Sequence, residues 1–251
     1  MISEASQDRR LTEDLIALLH EKGAALTGIG DMTGVPGCSL PVGVSVAVPL
    51  PVHIVKDLQT GPTIEYRNMY RTLNEKLNSI VTAGEKFLKE NGHNAFARTT
   101  DRVQISDDHI SDLPHKTVAT RAGLGWIGKN CLLITQEYGP AIRLSSLLTD
   151  APLCTSEPID QSQCGRCHLC VSACPGQALK GTLWNTAVNR DEIVDADKCY
   201  KTQRRIMKER TGIEIDLCGK CFAVCRFTLK YIRRTEKSSA GSAGGARSAR
   251  S

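Results

Sequence analysis

Eleven cysteines occupy a chain of 251 residues, and eight of them fall between Cys164 and Cys225. Their spacing carries chemistry. In Cys164-x2-Cys167-x2-Cys170-x3-Cys174-Pro175 a tight loop turns three thiolates onto one face of a [4Fe–4S] cube, and the fourth, at the start of the following helix, reaches a second cube. The other half is looser, with Cys199 upstream, an insertion over 200–217, and then Cys218-x2-Cys221-x3-Cys225. Exchange of the fourth cysteine between cubes predicts two sets. One is Cys164, Cys167, Cys170 and Cys225; the other is Cys174, Cys199, Cys218 and Cys221. Structural zinc is the competing chemistry, but zinc sites pair two C-x2-C units rather than running three short spacings into a proline. Arg226 stands where proline commonly closes such a run. Cys38, Cys131 and Cys154 are left over and are expected to be small buried residues.

A second pattern, Gly123-Leu124-Gly125-Trp126-Ile127-Gly128, has the glycine spacing of a dinucleotide loop. Such a loop needs a strand before it and a helix after it. Here a helix-like segment precedes and a strand-like one follows, so the glycines are expected to permit a close backbone approach instead. His115 is expected to cap or hydrogen-bond rather than to bind metal. Trp126, Tyr66 and Tyr70 read first as core. Lys116, Arg121 and Lys129 could neutralise the edge of a cofactor or serve as surface charge.

The net charge is +5, and it is uneven: residues 198–251 hold 14 Lys/Arg against 4 Asp/Glu. Lys201, Arg204, Arg205, Lys208 and Arg210 crowd the insertion, where they would steer an anionic partner or simply balance anionic clusters. Aromatic residues are 4% of the chain, which argues against a stacking platform for single-stranded nucleic acid. The N-terminus has no apolar run of a signal peptide, and no segment has the ~18 apolar residues of a membrane helix. Eight clustered cysteines without such signals fit a metal centre in a soluble cytoplasmic protein better than a secreted disulfide scaffold.

Several elements must position these groups. An apolar stripe at Leu15, Ile16, Leu18 and Leu19 predicts a helix over 12–23, and a stripe from Tyr66 to Leu88 predicts one over 64–91. Val42, Val44, Val46 and Val48 alternate as a strand does. Strands are also expected at Ala95–Thr99, Leu132–Thr135 and Ile142–Leu148, with a short helix from His115 to Ala122. Residues 151–163 read as a linker. The last 14 residues, Ser238 to Ser251, contain only Ser, Ala, Gly and Arg and predict a disordered tail.

The run from His115 through Gly123-Leu-Gly-Trp-Ile-Gly-Lys129, followed by Leu132-Leu-Ile-Thr135, Leu144 to Asp150 and the double cysteine pattern, resembles the epoxyqueuosine reductase family. The resemblance extends over about Tyr66 to Cys225. It implies a mixed α/β, nitroreductase-like core over 1–150, a ferredoxin-like domain with two [4Fe–4S] clusters over 151–237, and the tail. It implies a reductase whose clusters feed base-off cobalamin, as in the related reductive dehalogenases. The corrin would lie near Gly123, Gly125, Gly128, Leu133 and Leu144. The family's proton-donating aspartate falls near Asp112, with Asp107 or Asp108 as alternatives. The family's substrate is a modified base in tRNA, and its C-terminal helical-repeat region is expected to be missing from what reads as a short, truncated-type relative. An acidic electron donor such as flavodoxin or ferredoxin is therefore the expected partner of the basic insertion, with tRNA second. Two rival readings stay open: an electron-transfer protein that reduces a partner's corrinoid, and a cluster-fed flavin (FMN) reductase.

Overall fold

A computed structural model of the chain describes residues 4–104, 106 and 111–244. In order, these form α1 (Glu4–Glu21), β1 (Leu26–Asp31), β2 (Val42–Pro49), α2 (Val52–Asp57), α3 (Ile64–Glu90), β3 (Ala95–Arg98), α4 (His115–Arg121), β4 (Trp126–Ile127), β5 (Leu133–Ile134) and β6 (Ile142–Thr149). The cysteine region adds α5 (Leu169–Ala173), α6 (Arg190–Ile193), α7 (Ala196–Thr211), α8 (Lys220–Ala223) and α9 (Arg226–Gly244).

Four strands form an antiparallel sheet in the order β1-β2-β6-β3. The alternation of β2 sorts its side chains between two layers. Val44, Val46 and Val48 join Leu15, Leu19, Leu77, Ile80 and Leu88 of α1 and α3 in the largest core. Ala47 faces Ala119 of α4 on the other side. Each fully buried valine contributes about 1.5–3 kcal/mol by leaving water, so this strand anchors both layers. Helix α3 starts where Thr63 Oγ1 accepts from the Tyr66 amide at 3.1 Å, which satisfies one of the open N–H groups of its first turn.

Several expectations need correction. Helix α1 begins at Glu4, well before residue 12; its added turns include Gln7, Asp8, Arg9 and Arg10, polar residues that leave no apolar stripe to detect. The strand expected over 132–135 is present but shortened to β5, which pairs with β4 in a separate two-stranded ribbon, while β6 enters the main sheet as a full strand. The tail is not wholly irregular, because α9 continues through Gly244. Extending an existing helix adds a hydrogen bond for each residue fixed, and the Ser238 and Ser239 hydroxyls donate to Arg234 O and Thr235 O. The rest of that tail lies outside the described residues.

The cysteine region is not a detached module. Leu217, Phe222, Ala223 and Ile232 belong to the same core as Leu15 and Val46. Tyr231 of α9 donates its hydroxyl to Leu50 O at 3.0 Å, and its ring meets Tyr138 edge-on at 5.1 Å. Among the described residues no helix is long and apolar enough to cross a membrane.

Candidate metal centres and cofactor cavity

The eight clustered cysteines divide between two cavities. Cys164, Cys167, Cys170 and Cys225 line a small one, together with Asn130, Ile134 and Phe227. Cys164 and Cys167 sit on a turn closed by the Cys167 amide to Cys164 O at 3.2 Å, with Gly165 in the left-handed region at φ 54°. Cys170 lies in α5, and Cys225 follows α8 across the cavity. Cys174, Cys199, Cys218 and Cys221 line the other cavity, of about 430 Å³. Cys174 is the C-cap of α5, and Cys199 lies in the first turn of α7, whose N-cap Asp195 accepts from the Lys198 amide at 2.9 Å. Two donors already point at thiols of this set: Gln203 Nε2 to Cys199 at 3.1 Å and the Ala178 amide to Cys174 at 3.4 Å.

Burial and mutual repulsion disfavour the charged thiolates until a cation is present. Burial, then the neighbouring thiols Cys164, Cys225 and Cys167, pushes Cys170 up to about 11. Burial also raises Cys199, Cys218 and Cys225, and lifts Cys221 well above the ordinary thiol range. Iron reverses this balance, since a coordinating thiol is deprotonated outright. Among the described residues no three His, Cys, Asp or Glu side chains close tightly enough to hold a single metal ion. The thiols instead surround spaces, which suits a multi-atom cluster.

The larger cavity opens onto the core. Leu133 and Leu144, expected near a cofactor, are on its wall with Leu132, Ile142, Tyr66 and Tyr70. Gly123, Gly125 and Gly128 are not among the residues that line it. They serve the backbone. Gly123 takes φ 70° just after α4, and a Cβ on Gly125 would collide with the Ile134 carbonyl oxygen, so this glycine permits the β4–β5 ribbon. The order helix–glycines–strand confirms that this is no dinucleotide loop.

The polar groups of the cavity fall into two kinds. Lys116 donates to Cys131 O at 2.9 Å and to its Sγ at 3.2 Å; Arg143 stacks 3.9 Å over the Tyr70 ring and donates to Asn74. His115 shares a 2.9 Å hydrogen bond through Nδ1 with Ser146, the hydrogen-bonding role expected for it. Burial, assisted by Arg98 and Arg143, pushes its pKa down to about 4, so the imidazole is neutral at pH 7.

Of the proton-donating candidates, the described one lies elsewhere. Asp112 is not on the wall; it pairs with Arg98, whose Nη2 and Nη1 donate to its two oxygens at 2.7 and 3.1 Å. That guanidinium holds the carboxyl well below the usual carboxylate range. Asp107 and Asp108 lie outside the described residues. The basic insertion is largely paired: Lys201 with Asp197, Arg204 and Lys208 with Glu214, and Arg205 with Glu209. Of the spare cysteines, Cys131 is buried and Cys38 half-buried, whereas Cys154 is exposed against expectation.

Trp126 is core, as expected, fully buried and 5.0 Å from the Phe227 ring. Arg143, Asn130 and the cysteine-loop contact of Lys129 escaped the sequence reading. Only the position of Lys129 and Asn130, next to the glycine run, hinted at them.

Two cysteine-lined cavities against a mixed α/β core describe a double-cluster iron–sulfur protein, and residues 163–228 match the family described as "4Fe-4S double cluster binding domain". The chain is a relative of the epoxyqueuosine reductases: it is 32% identical over 165 residues to the epoxyqueuosine reductase of Lactococcus garvieae, a match covering 63% of this chain and 41% of that protein. It thus spans about two fifths of that relative's length. The fold is shared with solved structures. A catabolic reductive dehalogenase superposes with a TM-score of 0.68 at 20% identity, covering 93% of this chain and 34% of that one. An epoxyqueuosine reductase crystallised with an epoxyqueuosine-modified tRNA-Tyr stem loop superposes at 0.55 and 21% identity, covering 87% and 65%.

Proposed function

We propose that this chain is an iron–sulfur oxidoreductase of the epoxyqueuosine-reductase type that works with cobalamin. The observation that carries the reading is the shared wall of the 430 Å³ cavity, where Leu133, Ile142 and Leu144 of the core meet Cys174, Cys199, Cys218 and Cys221. A cofactor seated there would touch a cluster with no protein between them. The cavity mixes apolar walls with a few polar groups, as ligand pockets do. On this reading residues 1–150 are a nitroreductase-like core and 151–237 the module holding both clusters, with ligands divided as the two cavities divide them.

When bound, the corrinoid supplies the strongly reducing metal centre that side chains cannot. The chain's residues would orient and shield it. Leu133, Ile142 and Leu144 would exclude water, Lys116 and Arg143 would offer donors to its polar groups, and neutral His115 would add no charge. Asp112, held ionised by Arg98, suits an anchor, so proton delivery falls to Asp107 or Asp108. Pairing of Arg204 and Lys208 with Glu214, and of Arg205 and Lys201 within α7, narrows the basic surface to a small patch, which suits the limited contact of an acidic flavodoxin or ferredoxin better than the extended one of tRNA.

Anaerobic purification, a visible spectrum and cofactor extraction test the assignment. About one cobalamin per chain upholds it. Stoichiometric FMN would make the protein a cluster-fed flavin reductase, and clusters without either cofactor an electron-transfer protein.

A further inference from the structure

Asn130 is 5% exposed and contributes to the walls of both cavities. Its Oδ1 accepts from the Leu132 amide at 3.3 Å, but its Nδ2 has no hydrogen-bond partner among the described residues. A buried amide donor left unpaired loses its hydration without compensation, so this one calls for an acceptor that the described protein atoms do not supply. A second orphan donor stands nearby. The indole N–H of Trp126 has no partner either, and Trp126 packs in one cluster with Ile134, Cys164, Cys225 and Phe227.

The neighbouring residue indicates which cavity Asn130 serves. Lys129 is 3% exposed, and its Nζ donates to Gly165 O at 2.9 Å and contacts His168 Nε2 at 3.1 Å. Both partners lie within the Cys164–Cys170 loop. The chain is therefore pinned to that loop one residue before Asn130.

We propose that Asn130 is a positioning residue that donates its side-chain N–H to a sulfur of the cluster held by Cys164, Cys167, Cys170 and Cys225. The inference rests on the double-cluster reading of those cysteines. A sulfur of the cluster or of its thiolates is the acceptor that the orphan donor lacks. A hydrogen bond to such a sulfur stabilises the more negative, reduced state and raises the reduction potential. The residues after the glycine run thus set the energy of the electron leaving this cluster for the other, whose cavity Asn130 also borders.

The test compares anaerobically reconstituted wild type, Asn130→Leu and Asn130→Asp. Asn130→Asp keeps the acceptor for Leu132 and deletes the donor, so it stands in if the leucine variant fails to fold. Iron and sulfide analysis reports whether both clusters are present. A wild type without them would overturn the double-cluster reading itself rather than the role of Asn130. With both present, EPR-monitored redox titration should show a lower potential for one cluster, identified as the one lost in Cys167→Ala. At a fixed poise its reduced-to-oxidised ratio should fall roughly three- to tenfold in Asn130→Leu. Pulsed ENDOR of the reduced protein after exchange into 2H2O should lose one exchangeable-proton coupling in both variants. Unchanged potential and couplings, or changes confined to the other cluster, would overturn the assignment.

Discussion

Arg98 illustrates how one side chain can redirect the role of its neighbour. It is 4% exposed and depends on Asp112, 46% exposed, for its charge partner, with further support from Leu113 O at 2.7 Å. Replacing Asp112 by Asn should therefore act first on folding, lowering stability by about 1–3 kcal/mol, nearer the lower figure because the carboxylate is half in water. Denaturant unfolding of the loaded protein measures it; full stability with lost turnover would return Asp112 to proton transfer. His115 makes a pH prediction. Its folded pKa lies near 4, below the ordinary 6.5, because burial and then Arg98 and Arg143 oppose the charge, with only Asp112 favouring it. Between these values the unfolded chain binds more protons than the folded one, so stability rises with pH and is lost as pH falls from about 6.5 toward 4. The loss should approach about 3 kcal/mol. His115→Gln should flatten that slope in unfolding curves at pH 7 and 5; an equal slope in both proteins would show that other groups carry it.

At the scale of elements, legibility tracked burial. Strand β2 and helix α3 announced themselves because one face of each is apolar at the right period. Helix α1's first turns did not, being solvated; β5 falls inside the strand expected over 132–135, but a two-residue ribbon is too short for its pairing with β4 to show. The glycine run was legible as a close approach but not as to its partner, since nothing local reveals that Ile134 returns against Gly125. The two sets expected from the cysteine spacing border different cavities, but Cys170 lies within α5 and Cys174 caps its C-terminal end, rather than Cys174 opening the helix as the spacing led one to expect. Charge was misleading: α7 looked like an open basic patch, yet Glu209 and Glu214 answer three of its cations. Removing those acids should expose the patch. In a Glu209→Gln, Glu214→Gln double variant, reduction by an acidic protein donor should quicken severalfold at low salt and become more salt-dependent. Unaltered donor kinetics, with dithionite reduction also unaltered, would remove α7 from the docking surface.

Across the whole molecule, the cysteines tie distant stretches together. Cys174 adjoins the first three in sequence yet borders the cavity shared with Cys199, Cys218 and Cys221. Cys174→Ala should abolish the EPR signal of that cluster and spare the other; retention of both signals would reject the exchanged pairing. The joining also runs through the apolar interior, where Leu217, Phe222, Ala223 and Ile232 share one core with Leu15 and Val46, and Tyr231 fastens to Leu50. The segments that carry the second group of cysteines are thus the same segments that seal the interior of the sheet domain, so cluster binding and folding are expected to be coupled. A chain stripped of its clusters would not persist as an intact, inactive shell; it would open where Phe222 and Ile232 let go and become a substrate for proteases. Removing the clusters with a chelator should therefore speed limited proteolysis of the chain, and equal cleavage rates with and without iron would show that the apolar core holds these segments by itself.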